Sequence, residues 1–451
     1  MSEYDVVVVG AGIAGLGVAG LLQSAGVRTL VLEKGRTPGG RARTYDLPGG
    51  WRLDSGTHCV DLGTESACAR LLERVGRTIE WTRPMEGIRI FKDGAWMSQE
   101  EFLGLSEEES GELNGFLARL KDMPDAEIDE LDTVSLSDFL AGAVRSDKVT
   151  EFLKMIGMVQ TTLSEAENIS AGEFAAIYRE ALRQSRAGGD AGKVRMPVGG
   201  IGVMTGAQAQ AALDKGAEIR YSTPVRRVEP TGAGGFRVIL DGEEISAPAV
   251  VMALPIWNLV KMLPMEEDSP LPRAWRERMK GLVRETSASI GYTTGLTGPI
   301  FTGPVYLSAW RVPEVGLPLQ IFGQTNFDAS LAPPGHMIAF IGTPCTPDQA
   351  ENEAWRENTL AVFWKTLEQM FPGIGDKVVW NHPGWAVGID GLGRSPGLTG
   401  RYRPKVFLEE MPGLYFAGDC YTGRGVGMNA AANSAMICAE KILADLKAGG
   451  R

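Results

Sequence analysis

The sequence predicts an α/β fold with two domains: one built around a parallel sheet and assembled from separate parts of the chain, and a second, α+β domain. Three observations predict it. The chain opens with a strand, a glycine-rich turn and a helix, and a second strand, glycine loop and helix close it. Helical and strand-like patterns lie between these units. The length of 451 residues also exceeds the roughly 250 to 300 that one hydrophobic core serves.

Composition and charge exclude several classes of protein. Hydrophobic residues make up 44% of the chain and charged residues 22%, which is typical of a globular protein. The net charge of -11 argues against nucleic acid or an anionic membrane surface as an obligate partner. The five cysteines form no CxxC pair, so neither a metal site nor a disulfide framework is expected. We expect a cytoplasmic protein.

The first 33 residues carry a complete βαβ pattern. The apolar run from Asp5 to Val9 predicts a buried strand, and Gly10-Ala-Gly12-Ile13-Ala14-Gly15 opens a helix. A second strand, Thr29 to Leu32, ends at Glu33. Glycines at these positions permit a tight turn, close approach to a pyrophosphate and close helix packing, while the acid suits a ribose 2′-hydroxyl. Glycines interrupt the apolar stretch and acids precede it, so it is neither a signal peptide nor a membrane span.

A second glycine pair decides which dinucleotide is bound. Lys34 follows the acid, and Pro38-Gly39-Gly40-Arg41 comes shortly after it. Backbone N–H groups and a guanidinium at this place suit a second approach to a diphosphate. The stretch resembles the Glu…Gly-Gly-Arg signature of the flavin amine oxidase, phytoene desaturase and protoporphyrinogen oxidase superfamily, closer to its phytoene desaturase-like branch. The resemblance implies a Rossmann-like FAD-binding domain.

The resemblance extends to two further segments near the N-terminal half of the site. Asp54-Ser-Gly56-Thr57-His58 is similar to the segment that passes under the isoalloxazine ring, so Gly56, Thr57 and His58 are expected to contact the cofactor. By the same resemblance, a strand that holds Val225 passes the adenine.

The C-terminal end supplies the other half of the predicted site. Gly413 to Asp419 is typical of a strand with an acid at its carboxyl end, and Gly418 precedes that acid. A glycine loop with Gly425 and Gly427 then leads into a helix near Met428, predicted over Asn429 to Leu446. The resemblance implies that Asp419 binds the ribityl or phosphate-adjacent groups. It also implies that the helix start points at the flavin, where its dipole stabilises the negative charge of the reduced ring.

The predicted FAD-binding domain is discontinuous and comprises residues 1-80, 190-260 and 385-451. Residues 81-189 and 261-384 form the substrate-binding domain. Within it, Ser106 and Ser135 mark helix starts of a helical cap, and strand-like runs between 286 and 345 predict a mixed or antiparallel sheet. The segment Thr325 to Gly335 resembles a Pro-Gly turn of phytoene desaturase-like proteins.

The reaction class follows from the flavin and from two absences. The strand near Thr286 to Tyr292 has no lysine of the amine oxidase type, and residues 388-397 have no cysteine for a covalent flavin link. We therefore expect noncovalent FAD and hydride removal from a carbon of a small apolar or amphipathic molecule, by desaturation or dehydrogenation. Oxygen, a quinone or another acceptor would reoxidise the flavin. Three alternatives stay open: a flavin amine oxidase, a flavin-dependent isomerase or mutase without net redox change, and a non-enzymatic binding protein of the GDP-dissociation-inhibitor type.

No catalytic residue is fixed by the pattern. Candidates are His58 as a proton relay, Trp385 and Tyr421 as pocket walls, and Arg424 as a holder of a substrate carboxylate. Basic helices at Pro272 to Lys280 and Tyr178 to Arg186 leave peripheral membrane contact open, although solvated faces are the simpler interpretation. The sequence does not define the oligomeric state.

Overall fold

The structure is a computed structural model that describes residues 3–56, 59–184, 192–232 and 234–449. Its strands are β1 (Val6–Val9), β2 (Thr29–Leu32), β3 (Arg43–Leu47), β4 (Trp51–Ser55), β5 (Val60–Leu62), β6 (Gly87–Lys92), β7 (Ala95–Ser98), β8 (Gly192–Arg195), β9 (Glu218–Arg220), β10 (Arg227–Pro230), β11 (Phe236–Ile239), β12 (Glu244–Ala247), β13 (Ala249–Met252), β14 (Ala288–Leu296), β15 (Val305–Val312), β16 (Leu317–Gly323), β17 (Met337–Cys345), β18 (Val378–Val387) and β19 (Leu414–Phe416).

The helices are α1 (Ile13–Ser24), α2 (Ala67–Arg74), α3 (Gln99–Leu103), α4 (Glu107–Asp122), α5 (Asp125–Glu130), α6 (Leu136–Ala143), α7 (Asp147–Thr161), α8 (Ala171–Gln184), α9 (Gly202–Asp214), α10 (Ile256–Met262), α11 (Arg273–Gly281), α12 (Gln324–Phe327), α13 (Pro347–Glu351), α14 (Glu353–Met370) and α15 (Gly427–Ala448).

A five-stranded parallel sheet in the order β19-β13-β1-β2-β9 forms the nucleotide-type domain. Strands β1 and β2 are buried on both faces, because helices cover the sheet, and this explains their continuous apolar sequence. Helix α15 packs beside α1, so the two ends of the chain share one core. The predicted α/β fold with its discontinuous parallel-sheet domain is confirmed.

The second sheet has seven strands in the order β18-β14-β17-β16-β15-β6-β7. All its pairs are antiparallel except β15 with β6, so the sheet is mixed. Strands β6 and β7, and the β3–β4 hairpin beside the first domain, were not expected from the sequence. A Pro-Gly turn precedes β17, where His336 N–H donates to Pro333 O at 3.0 Å and Gly335 has a φ of 81°.

Helices α4 to α8 form a cap with a hydrophobic core of its own. The predicted helix starts are present: Ser106 forms a capping box with Glu109, and the Ser135 hydroxyl accepts from Asp138 N–H. Trp310 of the second sheet packs against this core and stacks on Phe152 at 6.4 Å. The cap is therefore joined to the seven-stranded sheet.

The first part of the predicted segment 261-384 packs on the parallel-sheet domain and not on the second domain. Leu263, Met265 and Met279 lie in the core of the parallel-sheet domain, although 261-384 was assigned to the second domain. On helix α11, Trp275 stacks on Phe416 and Arg276 is buried, so this basic helix is docked on the protein along one face. Among the residues described, no helix combines the length and apolar character needed to cross a membrane.

Candidate functional site

The first glycine turn and the second glycine pair lie side by side. Gly39 N–H donates to Ala11 O at 2.8 Å, and Gly12 forms a bridge with Gly39. A Cβ on Gly15 would lie 1.9 Å from Gly10 O, so only glycine permits this close approach of helix and strand. A Cβ on Gly12, in contrast, would meet no protein atom nearer than 3.9 Å. The space above Gly12 is open to a ligand.

Glu33 ends β2 beside this turn and is 6% exposed. Its carboxylate accepts hydrogen bonds from Ala11 N–H at 2.8 Å and Gly35 N–H at 2.7 Å. Each oxygen keeps a second lone pair, so a ribose hydroxyl could still donate to it. Lys34 is exposed. Val225 is buried but lies between β9 and β10, so the expectation that a strand holds it is wrong.

Arg41 joins the two ends of the chain. Its guanidinium contacts the Asp419 carboxylate at 2.5 Å and donates to Ile389 O at 3.0 Å. The Asp419 carboxylate also accepts from Gly391 N–H at 2.7 Å. Burial opposes ionisation of Asp419, but the charges of Arg41 and Arg394 outweigh it and lower the pKa of this carboxyl. The Arg41 side chain is 40% exposed whereas that of Asp419 is 6% exposed, so this ion pair lies at the wall of an open crevice.

Helix α15 begins at this crevice. It starts at Gly427, and α1 starts at Ile13, without a capping bond from the side chain of the preceding residue, so N–H groups of both first turns are available to a ligand. A Cβ on Gly418 would meet nothing within 4 Å, and Gly425 and Met428 flank the helix start. Two helix N-termini, a cation and side-chain-free backbone fit a dinucleotide diphosphate and an electron-rich ring.

Two fully buried arginines donate hydrogen bonds to the loop before β19 and to the loop after it. The sequence pattern did not identify these arginines. Arg394 and Arg403 are 1% and 2% exposed. Arg394 donates to Gly425 O at 2.8 Å, and Arg403 donates to Leu392 O at 2.8 Å and to Asp419 O. Burial, together with the charge of Arg394, lowers the pKa of Arg403 to about 9. Arginines within a glycine-rich loop were the only sequence signal.

Arg424 has a different role from the expected one. Its guanidinium contacts Asp132 at 2.6 Å, Glu173 at 3.2 Å and Asp129 at 2.8 Å, all in the helical cap. Asp132 and Glu173 are fully buried, and Glu173 also accepts from Gly425 N–H at 2.6 Å. Arg424 is therefore not available for a substrate carboxylate. It fastens the loop before α15 to the cap.

The other candidate side chains are not brought together. Tyr421 is fully buried, donates to Leu254 O at 3.2 Å and stacks on Phe416, so it is a core residue and not a pocket wall. Trp385 is 48% exposed on the edge strand β18, where Arg356 lies over its ring at 4.2 Å. Thr57 and His58 lie outside the described residues. Gly56, which precedes them, is exposed.

Asp54 lies at a junction of three segments. Its carboxylate accepts from Thr44 Oγ1 at 2.6 Å, Ile201 N–H at 3.0 Å and Gln324 Nε2 at 2.7 Å. Burial raises the pKa of Asp54 to about 6, although the bonds from Thr44 and Ile201 oppose this rise. The carboxyl thus holds the segment that leads to Gly56 against both domains.

Two further acids near α15 were missed by sequence reasoning. Asp390 is 4% exposed, and its carboxylate accepts a short hydrogen bond from Thr162 at the end of α7. Asp61 lies on β5, and its carbonyl accepts from Asn429 Nδ2 in the first turn of α15 at 3.1 Å. Neither acid belongs to a recognisable motif, and only the fold brings them to the same helix start.

The comparisons identify the family. The model of the family described as flavin containing amine oxidoreductase matches residues 13–443. The chain belongs to this family. The predicted membership and the prediction of an FAD-dependent oxidoreductase are thereby confirmed.

Relatives of this oxidoreductase span nearly its whole length. A phytoene dehydrogenase of Streptomyces griseus is 27% identical over 97% of this chain and 94% of its own. A chloroplastic prolycopene isomerase of Arabidopsis thaliana is 26% identical over 99% of this chain and 83% of its own. The crystal structure of an oxidoreductase from Methanosarcina mazei superposes with a TM-score of 0.79, at 20% identity, over 96% of this chain and 99% of the other. Its likeness establishes the shared fold.

Proposed function

We propose that this enzyme binds FAD noncovalently and removes hydride from a carbon of a largely apolar small molecule, forming a carbon–carbon double bond. Bound FAD would supply the acceptor for the hydride and, afterwards, the route by which oxygen, a quinone or another acceptor takes the electrons. The observation that carries the proposal is the crevice at Arg41 and the start of α15, which is suited to a flavin dinucleotide, in a chain that is similar to a phytoene dehydrogenase over 97% of its length.

Apolar side chains near Asp54 support an apolar substrate. Tyr306 of β15 and Cys59, which precedes β5, pack together against one hydrophobic cluster. That cluster consists of Trp51, Met196, Phe322, Phe327, Leu331, Ala332 and Ile338. Tyr306 donates to Gln320 Oε1 at 2.8 Å, so its hydroxyl is already satisfied. Tyr306 and Cys59 are half-buried at the edge of this cluster, and a substrate that reached them would meet side chains that favour a hydrocarbon over a polar molecule.

We assign the cofactor-contacting roles from the family resemblance together with the contacts at the crevice. Gly10, Gly12, Ile13, Ala14, Gly15 and Glu33 would hold the adenosine end, with Val225 near the adenine. Gly39, Gly40, Arg41, Gly418 and Asp419 would hold the diphosphate and ribityl chain. Gly425, Gly427 and Met428 would face the flavin ring, and the family resemblance implies that Gly56, Thr57 and His58 contact the cofactor as well.

Noncovalent binding is supported by the state of the cysteines. All five are free thiols in the structure. Burial raises the pKa of Cys420, the cysteine next to Asp419, to about 11, and burial also raises the pKa of Cys59. A protonated, buried thiol is a poor nucleophile, so none of these groups is primed to attack the flavin.

An isomerase without net redox change is the second candidate, because the name of the Arabidopsis thaliana relative specifies such a reaction. The two functions differ in whether electrons leave the substrate. The isomerase would convert its substrate with no acceptor present, whereas the dehydrogenase would stop after one turnover.

The test is anaerobic mixing of the FAD-loaded enzyme with phytoene, with other long apolar alkenes and with amines. Bleaching of the visible flavin absorption by an alkene, with one new double bond in the product, is the expected result. Product formation without bleaching would favour the isomerase. Bleaching by amines alone would overturn the proposal in favour of an amine oxidase.

A further inference from the structure

We propose that Asp61 is the catalytic base of this enzyme and takes up the proton that leaves the substrate together with the hydride. This inference rests on the proposed function. It begins from the position of this acid: more than a third of Asp61 is exposed, although the surrounding protein is dense enough for burial to raise the pKa of its carboxyl. An exposed side chain with dense protein around it lies in a recess of the molecule, here called the cavity.

The fold places this cavity beside the segments that we propose to face the flavin, which are Gly56 and Gly425 to Met428. Strand β5 follows directly on the segment 54–58, and its residue Val60 is turned into the core while Asp61 points the opposite way. The Asn429 side chain fixes the Asp61 backbone to the first turn of α15 at 3.1 Å. Asp61 therefore faces the same space as the start of α15.

Three described residues near Asp61 are half-buried beside apolar side chains or already paired. Tyr306 and Cys59 are close enough to Asp61 to feel its charge, and both pack on the hydrophobic cluster of the second sheet. Asp390 is held by Thr162 and lies by Gly427. Among the residues described, in contrast, the Asp61 carboxylate has no hydrogen-bond donor and no ion pair. It is the acid left free to act on a bound substrate.

Desaturation needs such a group. Two C–H bonds on adjacent carbons would break: one electron pair would leave as hydride, for which bound FAD would be the acceptor, while the other would become the π bond of the new C=C. The proton released from the second carbon moves to the Asp61 carboxylate. Burial in an apolar cavity makes a carboxylate a stronger base, because water no longer stabilises its charge.

A charged neighbour makes the Asp61 carboxylate a stronger base still. Burial raises the pKa of Asp61, and the nearby charge of Asp390 raises it further. Within the part of the chain that the structure describes, the titratable or charged groups near Asp61 are Cys59, Tyr306 and Asp390 at the cavity and Lys193 and Arg195 on the paired strand β8. From α15, the uncharged Asn429 contacts the Asp61 backbone. Below the raised pKa Asp61 is protonated and cannot accept a proton, so turnover should fall on the acid side.

The experiment compares the FAD-loaded wild type with Asp61→Asn, and uses Asp46→Asn as the matched control because that side chain is 86% exposed. Rapid anaerobic mixing with an alkene substrate gives the rate of flavin bleaching against pH. Infrared difference spectra without substrate follow the protonated carboxyl band over the same pH range. Asp390→Asn is a further variant that should lower the pKa of Asp61.

We expect flavin bleaching to be about 10² to 10⁴-fold slower in Asp61→Asn. The decrease of the bleaching rate at acid pH should also be absent in this variant. A carboxyl band that titrates above the usual range of aspartate should disappear in the same variant and persist in Asp46→Asn. In Asp390→Asn, the bleaching rate should begin to fall at a lower pH than in the wild type. Bleaching of Asp61→Asn within about threefold of wild type, or an unchanged infrared titration, would overturn the base role alone. No bleaching of the wild type by any alkene would instead overturn the proposed function, and the base role with it.

Discussion

Replacing Arg424 by methionine should destabilise the protein, because two buried carboxylates would lose their cation. Asp132 and Glu173 have side chains that are 0% and 1% exposed, and Arg424 lies 2.6 Å and 3.2 Å from them. Removing one partner of a buried ion pair costs about 3 to 5 kcal/mol. The third partner, Asp129, is 49% exposed and adds less than about 1 kcal/mol.

The expected loss of unfolding free energy is near the lower end, about 3 kcal/mol, because both carboxylates keep a hydrogen-bond donor. Thr399 Oγ1 still donates to Asp132 at 2.9 Å, and Gly425 N–H still donates to Glu173 at 2.6 Å. An unfolding entropy of about 2.1 cal/mol/K per residue, over 451 residues, makes 1 kcal/mol worth roughly 1 °C in Tm. Arg424→Met should therefore lower Tm by about 3 to 4 °C.

Scanning calorimetry of the FAD-loaded protein would measure this difference. Arg273→Met is the matched control, since Arg273 is 81% exposed and pairs only with Glu277 on its own helix. Its Tm should change by less than about 0.5 °C. Adding Asp132→Asn to Arg424→Met should recover part of the loss by removing one buried charge. If Arg424→Met and Arg273→Met melt at the same temperature, the buried cluster does not contribute the stability assigned to it.

Two further predictions concern the nucleotide turn and the acid at the domain junction. Gly15→Ala should abolish FAD uptake, because the new Cβ would lie 1.9 Å from Gly10 O. Reconstitution of the apoprotein with FAD measures this. Gly111→Ala, at an open helical position, is the control and should bind FAD like the wild type. Asp54→Asn should flatten the pH dependence of stability. The folded pKa of Asp54, about 6, lies above its ordinary value of 3.8, so ionisation destabilises the fold and stability should decrease as pH rises from 4 to 6. Gln324 Oε1 is buried without a partner, so it can accept from the new amide after rotation. A variant with an unchanged pH slope in urea titrations would contradict this assignment.

Much of the parallel-sheet domain is predictable because its signals are local. The glycine turn, the acid Glu33 and the two helix-opening serines each follow from short-range chemistry, and the structure has them where the sequence predicts. The family resemblance extended the site from the first strand to Asp419.

Long-range pairing explains what sequence reasoning missed. Whether Arg424 meets a substrate or the cap depends on acids nearly 300 residues away, and nothing near position 424 reveals them. Asp61 and Asp390 meet at one helix start for the same reason. The packing of 261–282 on the parallel-sheet core likewise depends on tertiary contacts that a local pattern does not contain.

The most direct test of the account is a visible absorption spectrum of the purified protein, followed by acid precipitation and assay of the supernatant for FAD. We predict a flavin spectrum whose chromophore is released by acid, as noncovalent FAD requires. A flavin that stays with the precipitated chain would contradict noncovalent binding. A colourless protein that does not take up added FAD would contradict the central claim that the two ends of the chain form one flavin site.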